Sequence, residues 1–352
     1  MDNHNLHWMV NTHGNPLGAL QTLLGNLWQT ARLDGMLVPL NGINTPPYVR
    51  PRLVWEPAEL AQVNPFKPLM TLNSARLIPE LLQEHPGKRI AVLLRPCEMR
   101  ALIEMVKHAP LPLENLLTIT VDCLGTFPLE DYLWRLERKG SSAQLTEEAL
   151  HFARQGGIQA YRYRAACQYC ISPGAHGAQV NIGVLGLPVR QVLTVSLSDP
   201  ALAEQLDLAH ISDGPAAAEL VEQRHELLTR LEETHQHTRE RILTGLAEIL
   251  PSGVAALVEQ FDACGDCQSC LDSCPICEVD FPQRGPDNRF MEDDVARWLV
   301  SCAGCGMCEQ VCPNHKPLST IFTHIRQLLD EQYGYTPGIS IEQPLPVIGE
   351  AR

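Results

Sequence analysis

RIAVLLRPCEMRALIEMVKH, residues 89–108, decides the fold. Arg89 to Leu94 is a short apolar run, long enough for a buried strand and too short for a helix. It ends at Arg95-Pro96-Cys97 and gives way to a helical stretch to about Lys107. Leu116 to Val121 repeats the strand and stops at Asp122-Cys123. Met36 to Leu40, Val180 to Leu185 and Gln191 to Ser196 read as further strands. Ahead of them, Asn15 and Pro16 open an amphipathic helix with Leu17, Leu20, Leu24, Leu27, Trp28 and Ala31 on its apolar stripe, and Gly35 is expected to end it. Strands alternating with helices predict an α/β fold. Its cysteines stand at strand ends, where open sheets place their ligands.

The chain has thirteen cysteines among 352 residues. Cys97, Cys123, Cys167 and Cys170 are scattered through the first half, and nine others crowd between Cys264 and Cys312. In the crowded part, Cys264, Cys267, Cys270 and Cys274 give C-x2-C-x2-C-x3-C followed by Pro275. Cys302, Cys305, Cys308 and Cys312 repeat the spacing, followed by Pro313. Such a run lets three thiolates of one tight loop hold three irons of a 4Fe-4S cluster, while the fourth points at the neighbouring cluster. The expected sets are therefore Cys264, Cys267, Cys270 with Cys312, and Cys302, Cys305, Cys308 with Cys274. Gly265, Gly304 and Gly306 supply the small residues that such loops need. Zinc asks for only four ligands and usually pairs C-x2-C units across a longer gap, so two complete runs argue for iron. Both motifs resemble those of ferredoxins. With helices expected over 291–300 and 318–329, the layout is similar to the helical two-cluster ferredoxins of heterodisulfide and succinate reductase subunits. Cys277 is left over, either a small buried residue or a partner-facing or redox-active thiol.

Bulk properties narrow the function classes. Hydrophobic residues make up 45% and charged residues 19%, as in a packed globular chain. The net charge of −14 is a poor match for nucleic acid. No apolar run is long enough to span a membrane, and Met1 to Val10 lack a signal-peptide pattern, so the expectation is cytoplasmic. In that reducing setting metal ligation accounts for the cysteines better than disulfides do. Residues 216 to 250 read as a charged helical linker or hairpin over the sheet, with His225, His235 and His237 on a solvated face. Residues after about Gly334 read as an extended tail, a candidate arm on a partner.

The stretches RPCEMRALIEMVKH, LLTITVDC and CQYCISPGAHGAQVNIGVLG together resemble the coenzyme F-420 hydrogenase/dehydrogenase β-subunit family. Its pattern is Pro-Cys before a helix, a strand ending in Cys, then C-x2-C leading to a Gly-x-x-Gly strand. All four scattered cysteines match, as do Gly183 and Gly186, over roughly residues 10 to 200. The resemblance implies that Cys97, Cys123, Cys167 and Cys170 hold a 4Fe-4S cluster beside the isoalloxazine of FAD. It also places a Gly-Gly at the start of the first helix near the flavin, where this chain has Gly14, Asn15 and Gly18. A helix N-terminus there suits a pyrophosphate, and equally a plain capped helix. Asn73 and Ser74 lie where the family has a flavin-contacting polar segment. After C-x2-C this chain has Ser172, His176 and Gln179 in place of the family's acidic residues, so His176 is either a polar substitute near the flavin or a surface residue.

The expected organisation is an FAD- and cluster-binding α/β domain over 1–200, a helical linker over 201–260, a small mainly helical two-cluster ferredoxin domain over 261–330 and a tail over 331–352. Flavins take electrons in pairs and clusters singly, so joining them makes a converter between the two. The expected function is an oxidoreductase subunit with no catalytic side chain of its own. It would pass electrons between a catalytic subunit of formate dehydrogenase or hydrogenase type and a soluble carrier, whether a deazaflavin, NAD(P) or ferredoxin. A self-sufficient flavin reductase and a flavin-free relay are the alternatives.

Overall fold

The computed structural model describes residues 6–42, 48–156 and 162–348. The first five residues and the last four of the expected tail lie outside them. The described strands form one seven-stranded sheet in the order β1-β7-β6-β5-β4-β2-β3. They are β1 His7–Asn11, β2 Gly35–Asn41, β3 Val49–Val54, β4 Ile90–Leu94, β5 Leu116–Val121, β6 Val180–Gly183 and β7 Val192–Leu197. Strands β2, β4, β5 and β6 are parallel neighbours. β3 joins β2, and β7 and β1 join β6, in antiparallel fashion. The parallel strands therefore end at one edge, and the residues that follow β4 and β5 emerge there together.

β4 shows why the sheet is covered on both faces. Ala91 and Leu93 pack into one core with Leu20, Leu23, Leu24 and Leu27 of α1 (Pro16–Thr30). Ile90, Val92 and Leu94 pack into a second core with Met99 and Leu102 of α2 (Pro96–His108). A strand buried on both sides needs the unbroken apolar run that the sequence displays. The edge strands β1 and β3 lack that signal. β3 reads VRPRLV, with arginines and a proline, which an edge strand tolerates because one side of its backbone has no partner. α1 stops at Thr30 rather than at Gly35, which already belongs to β2; a Cβ there would lie 3.0 Å from the Trp55 ring.

Beyond the sheet, α3 (Ala218–Gly245) is long and mostly solvated, and of its residues only Leu227 is fully buried. α4 (Val254–Asp262), α5 (Glu292–Val300) and α6 (Leu318–Tyr333) carry the cysteine-rich segments between them. Phe261, Trp298 and Phe322 pack ring to ring, with Trp298 and Phe322 centroids 5.0 Å apart. These aromatics share one apolar core with Leu94, Met99 and Leu102, so the cysteine-rich part is built onto the sheet's second face. The expected boundary at residue 260 falls inside α4. The start of the tail lies on this chain's own α2: Glu104 accepts hydrogen bonds from the Tyr335 hydroxyl at 2.5 Å and the Gly338 amide at 2.7 Å.

Candidate metal centres and cofactor cavity

At the edge where the parallel strands end, a cavity of about 540 Å³ opens, and Cys97, Cys123, Cys167 and Cys170 all line it. Each reaches it by a different route. Cys97 is the second residue of α2, immediately after β4. Cys123 follows β5, and its amide donates to Pro173 O at 2.9 Å. Cys167 and Cys170 come from the short helix Ala165–Gln168 and the turn after it. The neighbour of Cys123 sets this geometry. Asp122 is fully buried and accepts hydrogen bonds from the amides of Ala175, Val184 and Leu185, at 2.6, 2.6 and 2.7 Å. The Arg224 guanidinium from α3 completes its shell at 2.5 and 2.7 Å. One carboxylate thus pins the loop of Cys123, the segment after Cys170 and helix α3 to each other.

Positive charge surrounds the four sulfurs. Arg164 donates to Cys167 Sγ at 3.8 Å and to Thr126 Oγ1 at 2.8 Å. Arg100 reaches Cys170 Sγ at 3.8 Å. Arg95, also on the cavity wall, spends its side chain on the carbonyls of Pro65, Lys67 and Leu69. Burial pushes the Cys97 and Cys123 thiols up, Cys123 to about 12. Burial acts the same way on Cys167, yet the Arg164 guanidinium and Thr126 outweigh it and leave that thiol below its ordinary value. Four thiolates around an iron–sulfur core carry net negative charge, and buried guanidiniums are what such a group needs.

Eight of the other nine cysteines fall into two sets. Cys264, Cys267, Cys270 and Cys312 line one small cavity with Phe261 and Phe290. Cys302, Cys305 and Cys308 are half-buried; desolvation raises all three, and each is raised further by Cys274. The fourth cysteine of each run therefore stands with the other run. Cys305 also lines the large cavity and adjoins Cys97, and Cys308 adjoins Cys270. The three sets form a row. Among the described residues no three His, Cys, Asp or Glu side chains converge as they would on a single ion. In a four-iron cube each thiolate meets its own iron, so close convergence is not required. Cys277 is buried and hydrogen-bonds Cys274, which falls to about 7 through that bond despite its burial. The Trp298 indole donates to the same Cys274 Sγ at 3.2 Å.

The residues expected to touch a flavin do not gather at the cavity. Three amides at the start of α1 are committed: Gly14 N–H to Arg190 O, Asn15 N–H to Thr12 O, and Gly18 N–H to the Asn15 side chain at 3.0 Å. Gly183 and Gly186 lie under α3, where a Cβ would meet Arg224 at 2.8 and 3.0 Å, and Gly186 has φ +81. Helix packing accounts for both. Ser74 gives its amide and hydroxyl to Glu98 Oε1, both at 2.8 Å, and Asn73 caps the next turn with its amide group beside Cys305. His176 lines a second, smaller cavity. Two features escaped the sequence. His235, expected on a solvated face, is half-buried on the large cavity's wall with Nδ1 2.6 Å from Cys170 O. Beside it α3 contributes Thr234, Thr238 and Arg241 to the same wall, visible in the sequence only as polar residues near His235 at helical spacing.

Curated relatives span almost the whole chain. A protein of Methanocaldococcus jannaschii described as F420-dependent formate dehydrogenase subunit beta is 22% identical over 369 residues, covering 93% of both chains. Its counterpart in Methanococcus maripaludis, F420-dependent formate dehydrogenase 1 subunit beta, is 25% identical, covering 94% of this chain and 93% of that one. A chain of the F420-reducing [NiFe] hydrogenase complex from Methanosarcina barkeri shares the fold, with a TM-score of 0.50 at 12% identity, over 68% of this chain and 94% of that one. No family model matches the chain. The relatives are subunits of oxidoreductase complexes, and this chain is homologous to the β subunits among them. Among the described residues no helix is long and apolar enough to cross a membrane.

Proposed function

We propose that the chain is the electron-transfer subunit of a formate dehydrogenase- or hydrogenase-type complex, carrying three 4Fe-4S clusters and FAD. The row of three four-cysteine sets, from the large cavity through Cys305 to the small one, is the observation that carries this reading. Cys97, Cys123, Cys167 and Cys170 would hold the cluster at the sheet edge, and the two exchanged sets the others. The flavin belongs in the remainder of the large cavity, where Thr234, His235, Thr238 and Arg241 offer hydroxyl, imidazole and guanidinium groups to a polar ring edge. At the start of α1, by contrast, the Gly14, Asn15 and Gly18 amides are bonded within the chain. When bound, FAD supplies the exchange between paired and single electrons. The chain's own residues hold the clusters in a row, set their charge balance through Arg100 and Arg164, and keep water from the inner sulfurs by burial. The catalytic subunit meets the row at one end and a soluble carrier meets the flavin at the other.

The ligand pairing gives a direct test. Cys274→Ala should remove the cluster of the Cys302 run and leave that of its own run, read by the electron paramagnetic resonance of each reduced cluster. Loss of the Cys264-run signal alone would contradict the exchanged pairing and the row built on it.

A further inference from the structure

Residues 70–75 connect the sheet side to the second cysteine run, and both sides hold them. On the sheet side Ser74 gives its amide and hydroxyl to Glu98 Oε1, both at 2.8 Å, and Arg95 N–H donates to Glu98 Oε2 at 2.7 Å. Glu98 follows Cys97 directly, so the segment is tied to the helix that carries a sheet-edge cysteine. On the other side Gln310, just beyond Cys308, donates its side-chain amide to Met70 O at 2.9 Å. Asn73 stands between these ties and is completely buried.

Only half of the Asn73 side chain is in use. Oδ1 accepts from Ala75 N–H at 3.1 Å and caps the short turn Ser74–Leu77. That bond fixes which way the amide lies, because only its oxygen can meet an N–H. Nδ2, shielded from solvent, makes no well-formed hydrogen bond among the described residues. Capping does not account for it, since serine or aspartate would cap as well without bringing an amine. A buried N–H left unmet is costly, and no water reaches this one. The side chain beside it is Cys305, whose thiol burial and Cys274 push up and the Asn73 amide pulls back. A neutral thiol is a weak acceptor. A thiolate on iron is a charged one, and that is the partner this amide lacks.

We propose that Asn73 is a positioning residue for electron transfer: its Nδ2–H donates to Cys305 Sγ and favours the reduced state of the Cys302-run cluster. The cluster itself rests on the function proposed above. Cys305 also adjoins Cys97, so the donor acts where the row crosses from the sheet edge to the cysteine-rich part. It needs no opening to a cavity, since its acceptor is a side chain of the same chain. Trp298 N–H reaches Cys274 Sγ of the same set at 3.2 Å from the cysteine-rich part, and Asn73 is its counterpart from the sheet. One electron enters from the neighbouring set, and the hydrogen stays on Nδ2, so no proton moves. The added charge strengthens the N–H···S bond, which raises the potential of that cluster.

The test uses the full chain, purified anaerobically, with asparagine carrying heavy nitrogen in its side-chain amide. The Cys302-run cluster is identified as the reduced paramagnetic signal that Cys274→Ala abolishes. In wild type, pulsed electron paramagnetic resonance should show that signal coupled to an asparagine side-chain nitrogen, and Asn73→Ser, which keeps the cap, should lose the coupling. In a redox titration Asn73→Ser and Asn73→Leu should both lower the potential of this cluster. At a fixed applied potential its reduced-to-oxidised ratio should fall about fivefold, the effect of one ordinary hydrogen bond, while the Cys264-run cluster stays where it was. No nitrogen coupling in wild type overturns the proposal, and so does an unchanged ratio in both variants. An equal shift of both clusters would mark a merely structural role and overturn it too, as would loss of FAD with the potential unmoved, which returns Asn73 to the flavin. Should neither variant hold the cluster, the wild-type coupling alone decides. A wild type with no Cys302-run cluster would remove the function proposed above and this role with it, an outcome that iron content distinguishes from the others.

Discussion

Replacing Arg224 by leucine isolates the contact that holds the cluster loop, the 173–186 segment and α3 together. The Asp122 side chain is completely shielded from solvent, and the Arg224 side chain is 14% exposed. In Arg224→Leu the carboxylate keeps the Ala175, Val184 and Leu185 amides but loses both guanidinium bonds and its only countercharge in this shell. Hydrogen bonds to charged groups contribute about 1.5–3 kcal/mol each, and breaking a buried ion pair by removing one partner costs about 3–5 kcal/mol. Three surviving amides solvate the carboxylate in part, so the lower half of that range, about 3–4 kcal/mol, is the expectation. The assay is denaturant unfolding of the loaded protein under anaerobic conditions, with hydrogen exchange followed peptide by peptide. Protection should fall first along Ala218–Gly245 and around Cys123. A variant within about 0.5 kcal/mol of wild type would refute the reasoning, since it would mean that water reaches Asp122.

Two further outcomes follow from single contacts. Trp298→Phe removes the N–H that Cys274 Sγ accepts at 3.2 Å; that bond favours the more negative, reduced cluster, and about 1 kcal/mol corresponds to about 40 mV for one electron, so the potential should fall by tens of millivolts in a spectroelectrochemical titration. An unchanged or raised potential would contradict this. Burial holds His176 below its ordinary 6.5. The unfolded chain therefore takes up this proton first as pH falls, so folding stability should decline below about pH 6.5, with a smaller decline in His176→Gln. Equal declines in the two proteins, measured by denaturant midpoint against pH, would count against it.

The parts of this fold that the sequence displays are those whose signal is local. β4 and β5 announce themselves because a strand buried on both faces must be apolar throughout, whereas β1 and the proline-containing β3 sit at edges where no such run is required. The cysteine runs are legible because a cubane fixes ligand spacing within one loop. The rest depends on contacts between distant residues. Asp122 and Arg224 are 102 positions apart, and Arg100 and Ala303 are 203 apart, so neither residue type nor spacing marks them. Gly183 and Gly186 look alike whether a cofactor or a helix fills the space beside them; here Arg224 fills it. His235 lies on a helix with one fully buried residue, and only the cavity reveals that its ring faces inward.

The central claim is three clusters in a row joined to one flavin, and its most direct test is composition. The full chain, purified anaerobically, would be assayed for iron, acid-labile sulfide and released flavin per polypeptide. About twelve irons, as many sulfides and one FAD are predicted. About eight irons without flavin would contradict the account, leaving the two exchanged sets as the only clusters and the cavity at the sheet edge without the chemistry assigned to it.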